Sequence, residues 1–151
     1  LLGGGVFLLL LGGYTLLSPW LDLSAISGNL QAKEGFTAAT FPLAALYITF
    51  GNSLLEELFF RGFAFLALYR SGYKKLAWTF SAIAFALYHV SIMDGWFHPA
   101  LLVLLTSGLA CAGLLFNALD AKSQTIWPGW LVHMGANLAI NTIALHLWGI
   151  I

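Results

Sequence analysis

Two adjacent carboxylates, Glu56 and Glu57, and one arginine, Arg61, stand in the run Leu54-Leu55-Glu56-Glu57-Leu58-Phe59-Phe60-Arg61, where every other residue is apolar. A helix puts residues four apart on one face, so Glu57 and Arg61 can pair, acid before base, in the favourable order. Glu56 points about 100° away around the helix and is not served by that arginine. A charge at bilayer depth costs about 2.5–3.5 kcal/mol. An unserved carboxylate in such a place reads as a functional group facing a cavity, with Glu57 and Arg61 as its support. The alternative is a buried ion pair plus a carboxylate that reaches a neighbouring helix.

His89 ends the run Phe85-Ala86-Leu87-Tyr88-His89. Glu56 lies 14 residues before Arg70, and His89 lies 14 residues after Lys75. At 1.5 Å per residue both stand roughly 21 Å from the same turn. Two antiparallel helices would then bring a carboxylate and an imidazole to one level, as a general-base pair around one water. His133 and Asn137 are also four apart, with Gly135 leaving backbone room between them. Both can donate hydrogen bonds, which suits a developing oxyanion; both could also help to hold a metal, although Asn is a poor zinc ligand. His133 falls only about 10 Å inside the expected start of its helix, so either that helix begins before Trp127 or the segment enters obliquely.

Other groups are weaker candidates. His98 and His146 read as interfacial polar residues, and Ser53, Ser81, Thr106 and Ser107 as helix-packing hydroxyls. Neither a G-x-S-x-G elbow nor an H-E-x-x-H zinc motif occurs.

These groups need elements that can carry them through lipid. The chain of 151 residues is 60% hydrophobic and 8% charged, with a mean hydropathy of +0.89. A soluble domain carries about a quarter charged residues, so six Lys/Arg and six Asp/Glu are too few to solvate a water-exposed globule. Zero net charge provides no basic face for nucleic acid. A lone cysteine, Cys111, excludes a disulfide framework and a cysteine metal cluster. A hydrocarbon core of about 30 Å takes roughly 20 apolar residues per helix. At that length the sequence predicts an all-α, polytopic transmembrane bundle of about five helices.

The predicted helices cover residues 1–17, 36–70, 76–93, 98–119 and 126–150. A polar connection over 18–35, a turn at 71–75, a break at Asp94-Gly95 and a loop at 120–124 join them. Pro42 and Pro128 fall where a first turn tolerates them. Ser107, Gly108, Ala110, Ala112 and Gly113 let helices approach closely. Two parts are expected: an N-terminal helix with its polar connection (1–35) and a catalytic helical core (36–151). The apolar start, with neither Met nor a basic flank, reads as a helix entered partway within a longer protein. Arg70, Lys74 and Lys75 place the turn 71–75 in the cytoplasm, and Lys122 falls on the same side two crossings later. Trp20, Trp78, Trp96 and Trp127 stand near helix ends, where indoles favour the interface.

Glu-Glu-x-x-x-Arg (56–61), Phe-x-x-x-His (85–89) and His-x-x-x-Asn (133–137), in this order on separate helices, resemble the CPBP family. That family comprises type II CAAX prenyl endopeptidases, Abi-type membrane proteases and bacteriocin self-immunity proteins. The likeness runs from about Phe36 to Ile143 and includes Gly108-x-x-x-x-Gly113 and Ile126-Trp127-Pro128-Gly129 ahead of His133.

The resemblance implies an intramembrane endopeptidase that cuts a peptide bond near the membrane surface. Glu56 and His89 would activate the attacking water, His133 and Asn137 would hold the oxyanion, and Glu57, Arg61 and Phe85 would brace the site. If a zinc or other divalent ion takes part, Glu56, His89 and His133 are its expected ligands. Expected partners are membrane lipid, a protein or peptide substrate, and a larger membrane complex. A competing expectation is a non-catalytic member acting in binding, immunity or assembly. Proton or ion carriage ranks last, because the face opposite the Lys74 turn offers only Asp94 and His98 near helix ends.

Overall fold

The structure is a computed structural model that describes residues 1–20, 28, 31–32, 35–93 and 97–151. Asp22, Ser24, Ser27, Asn29, Lys33 and Glu34 of the expected polar connection lie outside the described residues, as do the expected Asp94-Gly95 break and Trp96. Among the described residues there are five long helices: α1 (Leu2–Leu17), α2 (Phe41–Arg70), α3 (Lys74–Met93), α4 (Pro99–Ser123) and α5 (Trp127–Leu147). No strand occurs among the described residues. Helices α2, α3 and α4 are long and apolar enough to cross a membrane, with 30, 20 and 25 residues. The shortest of the three spans about 30 Å, the thickness of the hydrocarbon core.

Helix α2 starts at Phe41 rather than at 36. Thr37 and Thr40 use their hydroxyls on each other's backbone, the Thr37 N–H donating to Thr40 Oγ1 at 3.0 Å. Such local bonds compete with helix and hold residues 37–40 as a turn. Pro42 then occupies the first turn, where its missing N–H costs nothing. Within α2, two stretches are π-helical, Tyr47–Asn52 and Leu58–Ala67, and they flank the α-helical Ser53–Glu57. This wider winding is rare and concentrates at functional sites.

Helix α4 continues to Ser123, so Asp120 to Ser123 are helical instead of the expected loop. The helix ends where Gln124 turns left-handed at φ 58°. Pro128 sits in the first turn of α5.

The described residues divide into two compact units. One comprises Leu1–Ser53 and Leu131–Ile151, the other Leu54–Trp130. In the first, Phe41, Ala45 and Ala144 form the buried centre, packed by Phe36, Ala44, Leu145 and Trp148. The Phe41 and Trp148 rings meet edge to face at 4.4 Å, a favoured aromatic geometry. Gly135 of α5 lies against the Gly3 backbone of α1, leaving no room for a side chain. Small residues that let helix backbones touch are a common device in lipid, where dispersion rather than water drives packing. The backbone room that Gly135 leaves is thus filled by α1.

In the second unit Phe65, Leu66 and Ala77 form an apolar centre. Gly113 of α4 faces the Ala82 backbone of α3, where a Cβ would stand 3.0 Å from the Ala82 Cα. The turn after α2 bends at Gly72, whose φ of 92° a side chain would oppose. Arg70 donates from Nε to Gln124 Oε1 at 3.2 Å and from Nη2 to the Gln124 carbonyl at 2.5 Å. The end of α2 and the end of α4 are therefore neighbours, as the matching positions of Arg70 and Lys122 anticipate.

Burial runs opposite to that of a soluble protein. Leu43, Leu55, Phe63, Leu87, Val103 and Leu104 are exposed, whereas Ser53, Glu57, Arg61, Ser81, Asn117 and Asp120 are fully buried. Lipid is as apolar as leucine, so many apolar side chains can face outward while charged and amide groups are drawn inside.

Candidate active site

Five of the expected site residues come together in the unit Leu54–Trp130: Glu56, Glu57 and Arg61 on α2, Phe85 and His89 on α3. Glu57 and Arg61 are both 0% exposed, with Arg61 Nη1 3.2 Å from Glu57 Oε1. The Arg61 guanidinium also lies 4.1 Å from the Phe85 ring centre, 4.9 Å from Phe116 and 6.0 Å from Phe60. A delocalised, weakly hydrated cation tolerates such an aromatic cage better than an ammonium would. One carboxylate and three ring faces thus replace the water that Arg61 gives up.

Phe85 links this brace to the histidine. Its ring is 4.5 Å from the His89 ring, and its carbonyl lies 2.9 Å from His89 Nδ1. A carbonyl can only accept, so Nδ1 carries the proton and donates it. In the neutral form of the ring Nε2 is then an acceptor. Nε2 is 3.7 Å from Glu56 Oε2, with side-chain exposures of 19% and 8%. That separation is too long for a direct hydrogen bond.

Other polar side chains of this unit are buried as well. Ser81 Oγ donates to the Phe60 carbonyl at 2.8 Å, within the second π-helical stretch, and lies 3.1 Å from Asn117 Oδ1. Asn117 Nδ2 donates to the Trp78 carbonyl at 3.3 Å. Asp120, fully buried, accepts the Gly129 N–H at 2.9 Å through Oδ1. These residues escape a reading of the sequence because an isolated Ser or Asn in a helix looks like packing, and Asp120 beside Lys122 looks like the edge of a loop.

His133 and Asn137 belong to the other unit. His133 is 4% exposed and lies in a helix that starts at Trp127, which rules out an earlier start for α5. Asn137 donates from Nδ2 to the Ile48 carbonyl at 3.2 Å. One turn further, Asn141 Nδ2 donates to the Ala45 carbonyl at 3.1 Å and to Thr49 Oγ1 at 2.9 Å. The spacing 133, 137, 141 puts all three on one face of α5, a periodicity visible in the sequence, although Asn141 was not singled out there.

The two weaker histidines have local partners. His98 caps α4 by accepting the Ala100 N–H at 3.3 Å. His146 stacks edge-on to Tyr14 at 6.1 Å and faces the Ile151 carbonyl.

No curated protein and no solved structure is similar enough to the chain to count as a match. A family model, Type II CAAX prenyl endopeptidase Rce1-like, matches residues 38–139. That stretch takes in all three motifs and two thirds of the chain, so the protein belongs to the Type II CAAX prenyl endopeptidase Rce1-like family.

Proposed function

We propose that this protein is an intramembrane endopeptidase in which Glu56 and His89 activate a water for attack on a peptide carbonyl near the membrane surface. The observation that carries this is the approach of His89 Nε2 to Glu56 Oε2 at 3.7 Å. With Nδ1 donating to the Phe85 carbonyl, a neutral His89 offers Nε2 as an acceptor beside Glu56 Oε2. A water that donates to both has a lone pair left for the substrate. Membership of a peptide hydrolase family supports the same chemistry.

In the proposed course, the water oxygen bonds to the carbonyl carbon while a water proton passes to Glu56. The carbonyl oxygen becomes an oxyanion, which His133 and the remaining N–H of the Asn137 amide stabilise. On collapse the C–N bond breaks and Glu56 returns its proton to the leaving amine, so acid and base are regenerated. Glu57, Arg61 and Phe85 hold the pair in place, and the Ile48 carbonyl orients the Asn137 amide.

If a metal ion takes part, Glu56, His89 and His133 are its proposed ligands, one carboxylate and two imidazoles. The set has the composition of catalytic zinc sites, and an ion bound there would polarise water. The family description points to a prenylated CAAX peptide as the first substrate class to test. The turn at 71–75 is taken to face the cytoplasm, on the strength of Arg70, Lys74 and Lys75.

The test uses the full chain in lipid nanodiscs with a fluorogenic farnesylated CAAX peptide and its unprenylated counterpart, and product mass spectrometry. Cleavage by the native protein and its loss in His89→Ala, with unfolding unchanged, is the expected result. Normal cleavage by His89→Ala would sink the proposal. Metal analysis of the same preparation decides whether a divalent ion accompanies the donor set.

A further inference from the structure

Asp120 is a buried carboxylate at an unfavourable place. It stands in the last turn of α4, at the negative end of that helix dipole, with no exposed surface. A helix bearing an acid there would ordinarily fray toward water, yet α4 stays wound to Ser123.

Two features compensate. Asp120 Oδ1 accepts the Gly129 N–H at 2.9 Å, which belongs to the first turn of α5. Those first N–H groups have no partner within their own helix, and the positive end of the α5 dipole favours an anion. The negative end of one helix is thereby matched to the positive start of the next. Arg61 also lies within the electrostatic reach of Asp120, as it does of Glu57.

The contact is shaped for a carboxylate and nothing larger. A Cβ on Gly129 would stand 2.8 Å from Asp120 Oδ2 and 3.0 Å from Oδ1. Oδ2 itself has no hydrogen-bond partner, so one oxygen makes the whole polar contact. The only tie of its kind from α4 to the first turn of α5 is thus a single side chain, among the described residues.

We propose that Asp120 is a positioning residue whose buried carboxylate holds the first turn of α5, the helix that carries His133 and Asn137. The inference rests on the proposed peptidase reading for its catalytic consequence, while the anchor itself is independent of it. The required property is a hydrogen-bond acceptor of carboxylate shape. Asparagine supplies the same Oδ1, and valine supplies only the volume.

The experiment compares the native chain with Asp120→Asn and Asp120→Val in nanodiscs. It reads hydrogen exchange over residues 125–131, and kcat and KM on the farnesylated CAAX peptide. Asp120→Val is expected to exchange about tenfold faster in that segment and to lose about tenfold in kcat with KM within about twofold. Asp120→Asn is expected to keep both within about threefold. Native-like exchange or kcat in Asp120→Val would overturn the proposal, as would an Asn variant that falls as far as Val.

If the native chain leaves the peptide intact, the peptidase reading fails and the exchange measurement alone decides the anchor. If Asp120→Val does not fold, Gly129→Ala crowds the same contact from the other side. Unchanged exchange in that variant would equally overturn the anchor.

Discussion

Arg61 is the point at which the site is most vulnerable, and removing it should cost more than removing its partner Glu57. Both side chains are 0% exposed and their charges are 3.2 Å apart. At an effective dielectric of about 20 that attraction is worth about 5 kcal/mol before desolvation is counted. Breaking a buried pair by deleting one partner costs about 3–5 kcal/mol, because the survivor keeps its desolvation without its compensation. The two deletions are unequal. Glu57→Gln leaves Arg61 with Asp120 and three ring faces, so a cost of about 3 kcal/mol is expected. Arg61→Met removes the cation beside both Glu57 and Asp120 and should cost about 5 kcal/mol. The double variant removes the pair as a unit and should cost no more than either single deletion, well short of the additive sum of about 8 kcal/mol. Equilibrium unfolding of the four proteins in mixed micelles by added SDS gives the cycle. Additivity within about 1 kcal/mol, or an Arg61→Met cost below that of Glu57→Gln, would refute the reasoning.

Ser81→Ala should destabilise by about 1–3 kcal/mol in the same unfolding assay, because the Phe60 carbonyl in the π-helical stretch loses its buried donor at 2.8 Å. Asn141→Leu should cost a similar amount, about 1–3 kcal/mol, by leaving the Ala45 carbonyl and the Thr49 hydroxyl without their shared amide. Gly135→Val puts a side chain into the Gly3 backbone; it should lower stability by about 1–3 kcal/mol and speed proteolysis within α1.

Much of this could be read from residue types before any coordinates. The scarcity of charge fixed an all-helical membrane fold, because apolar lengths near 20 residues admit few other solutions. The spacing of Glu57 and Arg61 fixed their pairing, and equal distances from the 71–75 turn foretold that Glu56 and His89 meet.

What stayed hidden has physical reasons. The two π-helical stretches of α2 do not announce themselves by composition, since Leu58–Ala67 reads as an ordinary apolar helix. Asp120 opens the expected loop 120–124, and nothing local marks it as buried; its partner, Gly129, lies nine residues on and across a turn. Asn117 and Ser81 are meaningful only as a pair on different helices, and the separation of 36 residues carries no local signal. The tautomer of His89 needed the Phe85 carbonyl at 2.9 Å, a backbone contact that the Phe-x-x-x-His spacing permits without requiring.

The most direct test of the central claim is single-turnover cleavage of the farnesylated CAAX peptide by Glu56→Gln, beside an SDS unfolding curve of the same preparation. Glutamine keeps the shape and one acceptor oxygen but cannot take a proton from water. A general base contributes roughly 10²–10⁴-fold, so the account predicts a rate lower by that factor with the unfolding midpoint unchanged. A Glu56→Gln protein that cleaves within about threefold of the native rate would contradict it.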